Sequence, residues 1–148
     1  MRLLEGIESS GIGTWIRESE WGYPIVLIGH TLGMALLAGM TLAFAIDSLR
    51  TRNPLRGFMP LVRIAWGGFA LSLVSGSILF AGAARRFSAH PMFQLKLAAL
   101  TAGIVLLYML SRTAREAGAA PRIRWLGAAS IALWTVAIAA GRLMAYIR

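Results

Sequence analysis

Few side chains in this sequence can do chemistry, and most of those that can sit inside long apolar stretches. His30 stands alone in the stretch 24–45. Neutral imidazole is the commonest protein ligand for metals, and haem iron often takes one. The same ring can also bridge two helices by donating to a carbonyl or hydroxyl. His90 is a candidate second metal ligand, although His90-Pro91 also reads as a loop entering a helix with proline in its first turn. Lys96 and Arg142 are candidate cofactor-binding residues beside His30. Each supplies a positive charge suited to haem propionates or to a quinone or lipid headgroup, and each is near enough to a span end to snorkel into water instead. Asp47 is positioned to pair with Arg50 or Arg52. Met34 follows His30 by four residues and Met92 follows His90 by two, so imidazole and thioether together form a soft set for Cu(I), or the methionines are packing.

Four apolar blocks must position these groups, at residues 24–45, 61–84, 91–110 and 125–146. A bilayer core about 30 Å thick takes roughly 20 helical residues to cross, so each block is a predicted span. Residues 1–23 form a separate segment in which Glu5, Glu8, Arg17, Glu18 and Glu20 alternate with Ile7, Ile12, Trp15, Ile16 and Trp21. This pattern predicts one or two short helices lying at the interface, with Trp15, Trp21 and Tyr23 at headgroup depth. The opening Met1-Arg2-Leu3-Leu4-Glu5 lacks the apolar run of a cleavable signal. Short connections make the predicted fold class all-α, an integral membrane four-helix up-down bundle over 24–148. Small residues at four-residue spacing mark the expected helix seams: Gly29 and Gly33; Gly68, Ser72 and Gly76; Ala99 and Gly103; Ala137 and Gly141. His30, Lys96 and Arg142 then fall in one layer near one end of the bundle.

Charge and composition narrow the function classes. Of 148 residues, 57% are hydrophobic and 14% charged, against about 25% charged in soluble domains. The net charge of +9 comes from arginines at the ends of the apolar blocks, which suits anionic lipid rather than nucleic acid. Cysteine is absent, which removes disulfides, thiolate metal sites and thiol nucleophiles. Paired carboxylates, a Ser/His/Asp set, a phosphate-binding glycine loop and a metalloprotease motif are all missing, so a self-contained enzyme is not expected. Arginines 50, 52, 56, 63, 112, 115, 122 and 124 border the first and third loops. This places those loops in the cytoplasm and both termini in the periplasm.

The run Ile16-Arg17-Glu18-Ser19, Pro24, His30-Thr31-Leu32-Gly33, Gly39 and Asp47-Ser48-Leu49-Arg50 resembles the opening of a bacterial family of four-span membrane proteins annotated only as a domain of unknown function. Gly68-Phe69-Ala70, Ser75-Gly76, Leu79-Phe80, Pro91-Met92-Phe93, Lys96 and Ala140-Gly141-Arg142 resemble its later blocks. Leu27 stands where the family often has an acid, and His90 where it often has Asn. The resemblance implies a multi-pass protein of the bacterial inner membrane in which His30, Asp47, Lys96 and Arg142 are family features. A looser likeness, through a histidine in a glycine-rich span, is to copper-resistance and cytochrome-b-type membrane proteins. The leading expectation is a small non-enzymatic subunit or anchor that packs within a respiratory or photosynthetic assembly, or with itself. The alternatives are a b-type haem protein moving electrons with His30 as ligand, and copper handling or small-solute transport.

Overall fold

The computed structural model describes residues 2–50, 59–113 and 120–143. Among them the chain is helical throughout, without strands, in seven helices. These are α1 (Arg2–Glu8), α2 (Gly11–Glu18), α3 (Gly22–Arg50), α4 (Met59–Gly82), α5 (Ala84–Ala89), α6 (Pro91–Thr113) and α7 (Ala120–Leu143). Helices α3, α4 and α6 are long and apolar enough to cross a membrane, so the chain is a multi-pass membrane protein. Helix α7 has 24 residues, but its apolar stretch, Arg124–Ala139, is shorter than the other three. The expected fourth span, 125–146, runs partly outside the described residues.

The helix ends follow local chemistry. Ser19 accepts the Gly22 N–H on its hydroxyl at 3.0 Å, satisfying one of the orphan donors at the start of α3. Pro24 then falls within the first turn, where a missing N–H costs nothing. Helix α3 extends five residues beyond the apolar block, through Asp47 to Arg50, because no breaker intervenes before Asn53-Pro54. At about 1.5 Å per residue its 29 residues reach roughly 43 Å, beyond the hydrocarbon core. The second span was expected to reach residue 84, but α4 ends at Gly82. The chain turns at Ala83 and restarts as α5. Glu8 supplies the reason: its Oε1 accepts the Arg85 backbone N–H at 3.0 Å, an acid from α1 capping the first turn of α5. Pro91 opens α6 as anticipated.

Two short helices stand in the N-terminal segment, and they are docked on the bundle. Ser10 caps α2 by accepting the Gly13 N–H at 3.2 Å. Helix α2 crosses α4 so tightly that a Cβ on Gly13 would stand 2.8 Å from the Ala81 carbonyl oxygen. A Cβ on Gly82 would stand 2.6 Å from Ile16 Cγ2, and Ile16 is buried. Arg85 Nε donates to Glu8 Oε2 at 2.8 Å, and Arg17 Nη1 donates to the Gly82 carbonyl at 3.3 Å. Trp15, Trp21 and Tyr23 project outward, as interfacial anchors would.

In the bundle α3 is central, packing on α4 and on α7, and α6 packs on α7. Helices α4 and α6 do not build a comparable seam with each other. They meet near α5, where Phe93 stacks on Phe80 and on Phe87, each at 5.6 Å between ring centroids. The core runs through mid-bundle, with Leu37, Leu107, Trp134 and Ala137 packed together and buried. Lipid supplies no hydrophobic drive between helices, so close backbone approach must hold them. The α3–α4 seam is the tightest. A Cβ on Gly33 would lie 2.9 Å from the Gly68 carbonyl oxygen, and one on Gly68 would lie 2.8 Å from that of Gly33. Gly29, expected to share this seam, has only Leu71 Cδ1 at 4.0 Å. On the α6–α7 side Gly103 makes room for Trp134, whose Cζ2 lies 3.2 Å from the Cβ position.

Candidate functional site

The α3–α4 seam delivers His30 to a defined place. Its imidazole lies half-buried against α4, with Nδ1 at 3.1 Å from the Ser72 carbonyl oxygen and 3.2 Å from Ser75 Oγ. A carbonyl can only accept, so Nδ1 carries the proton and donates. The Ser75 hydroxyl donates its own proton to the Leu71 carbonyl at 2.6 Å, which leaves its lone pairs to share the imidazole N–H. In neutral imidazole the second nitrogen, Nε2, then holds the free lone pair. Gly76 provides the floor of this seat, with its Cβ position 3.0 Å from His30 Cε1.

Lys96, in the second turn of α6, is half-buried and lies within electrostatic reach of the His30 ring. His30 on α3 and Lys96 on α6 are thus near enough to influence each other electrostatically. Arg142 is in the last turns of α7, and its side chain lies outside the described residues. His90 has a local role. It is the residue before α6, and its Nδ1 accepts the Met92 N–H at 3.2 Å, the work of an N-cap. That role occupies the Nδ1 lone pair. Met34 packs against the core cluster. Asp47 is half-buried and engaged near the end of α3, and Arg52 lies outside the described residues.

Three polar groups were not singled out from the sequence as site residues and matter here. Ser72 and Ser75 supply the acceptors for His30. The four-residue row Gly68, Ser72, Gly76 carried that signal, because a row that admits a close helix also admits a ring from it. The third is Trp134, fully buried with Nε1 unpartnered among the described residues, as are Ser72 Oγ and Ser130 Oγ. Ser72 Oγ sits 2.7 Å from the Cβ position of Gly33, where only a glycine leaves it room. Among the described residues no group of three His, Cys, Asp or Glu side chains converges on a point that would hold a metal ion. No family model, curated protein or solved structure matches the chain.

Proposed function

We propose that this protein is a small non-enzymatic subunit or anchor of the bacterial inner membrane, packing within a larger membrane assembly or with copies of itself. One observation carries the reading: α3 packs closely on α4 and α7, and α7 on α6, whereas α4 and α6 build no comparable seam with each other. Both of these helices carry large apolar side chains outward, Leu73 and Val74 on α4 and Leu97 and Val105 on α6. Helices added beside α4 and α6 would meet these apolar side chains. Inside the spans, His30 holds the chain's own helices together by linking α3 to α4. Extraction in gentle detergent, followed by identification of co-purifying chains, tests this. A fixed set of membrane partners, or a homo-oligomer, supports it, and a lone chain contradicts it. Both termini lie in the periplasm in this reading, and a reporter inserted at Asn53 reads out as cytoplasmic.

A second reading, a b-type haem protein, draws on the His30 hydrogen bond. Ligating histidines almost always donate their other ring N–H to a carbonyl or carboxylate, which fixes the ring and sharpens the ligand nitrogen. His30 does so through Nδ1, and Lys96 offers a cation for a propionate. An optical spectrum of the purified protein decides between the readings: a Soret band lost in His30→Ala supports haem, and a colourless preparation contradicts it.

A further inference from the structure

A groove of about 520 Å³ runs between the α1–α2 hairpin and the last turns of α4, and none of the residues placed around His30 lines it. Its walls are apolar, formed by Leu3, Ile7 and Ile12 on the hairpin and Ile78 and Ala81 on α4, with Arg2 also lining it. Two hydroxyls line it too, but both are satisfied by their own helices: Ser10 Oγ donates to the Ile7 carbonyl at 2.6 Å, and Ser77 Oγ to the Leu73 carbonyl at 2.8 Å. Arg2 is therefore the lining group left to bind something polar. The acids near it are directed elsewhere, since Glu5 and Glu8 both face Arg85, and among the described residues Arg2 has no ion pair.

We propose that this groove binds an anionic glycerophospholipid, with its phosphate on Arg2 and an acyl chain laid along Ile7, Ile12 and Ile78. The lining combines one cation with apolar walls, as a phospholipid's headgroup and acyl chain require. One wall belongs to a membrane span within two turns of its end, which is the depth where glycerol and phosphate meet hydrocarbon. The apolar surface also continues outward from the groove, with Leu3 84% and Ile12 56% exposed, where the rest of the acyl region would lie. A cation with no acid partner selects an anionic headgroup over a zwitterionic one.

The test uses the full chain, purified, delipidated and titrated by native mass spectrometry with phosphatidylglycerol and with phosphatidylcholine. Wild type should bind phosphatidylglycerol about fivefold more tightly, the discrimination one surface cation contributes. Arg2→Gln should abolish that preference while phosphatidylcholine binding persists. Arg86→Gln, an exposed cation on α5 outside the groove, should keep it. Ser77→Trp, which fills the groove, should weaken both lipids. Equal binding of the two lipids by wild type, a preference that survives Arg2→Gln, one that Arg86→Gln removes equally, or unchanged binding in Ser77→Trp would each overturn the proposal.

Discussion

His30 and Gly76 form a ring and its seat: a Cβ at position 76 would stand 3.0 Å from Cε1 and 3.3 Å from Nδ1 of the imidazole. Few real Cβ contacts are that short, so Gly76→Ala must push the ring off the Ser72 carbonyl or spread α3 from α4. Overpacking of this kind costs about 1–3 kcal/mol. Gly39 and Gly67 are helical glycines with no heavy atom within 4 Å of the Cβ position. Alanine there should instead stabilise by about 0.5–1 kcal/mol through reduced backbone entropy. Thermal unfolding in detergent should therefore move in opposite directions for Gly76→Ala and for the two controls.

His30→Ala removes the ring N–H that links α3 to α4. Hydrogen bonds between membrane helices are worth about 0.6–2 kcal/mol, and the melting temperature in detergent should fall accordingly. Ser75→Ala should cost less, because the Ser72 carbonyl, a main-chain atom, still accepts from the ring. Equal losses in the two variants would show that the hydroxyl, not the carbonyl, is the main acceptor.

The Gly33–Gly68 crossing should be the least tolerant point in the bundle. There a new Cβ meets backbone: the Leu37 nitrogen at 2.7 Å from the Gly68 position, and the Ser72 nitrogen at 2.8 Å from that of Gly33. At Gly103 it meets only the edge of the Trp134 side chain at 3.2 Å. Gly33→Ala and Gly68→Ala should each destabilise more than Gly103→Ala. The same order should appear in resistance to unfolding by denaturing detergent, and a larger loss at Gly103 would refute it.

The α1–α5 clasp should be sensitive to acid. The Arg85 backbone N–H, then its guanidinium, hold the Glu8 carboxyl below its ordinary value of 4.5. A depressed carboxyl contributes fully above that ordinary value, and the contribution is lost as pH falls through the lower, folded-state value. Protection of the α1 amides, measured relative to the unstructured exchange rate at each pH, should thus hold at pH 5 and above and fall only below 4.5. In Glu8→Gln, α1 should exchange quickly across the whole range. Unaltered protection in that variant would mean the apolar contacts of Ile16, not the carboxylate, hold the hairpin.

Much of the architecture is legible in the sequence because a bilayer imposes a coarse rule. Long apolar blocks bounded by arginine become helices, and Pro91 marks the start of α6 in both readings. The boundaries at Gly82 and Arg50 are less legible. The first depends on Glu8, more than 70 residues away, capping α5 in trans, and hydropathy carries no trace of such a contact. The second depends on helix continuing past the apolar block until a breaker arrives. At the candidate site, residue type and placement in the apolar blocks single out His30 and Lys96, which influence each other electrostatically. The acceptors for His30 were hidden because one is a main-chain carbonyl, to which sequence is blind, and the other is a serine in a row that reads as packing.

The mass of the particle extracted in gentle detergent, measured by light scattering with the detergent contribution subtracted, tests the central claim most directly. One chain weighs 16.0 kDa. A bundle completed by partners beside α4 and α6 predicts a protein mass that is a multiple of this value, or that includes further defined chains. A single, stable 16.0 kDa species that keeps its helical content and thermal stability would contradict the account.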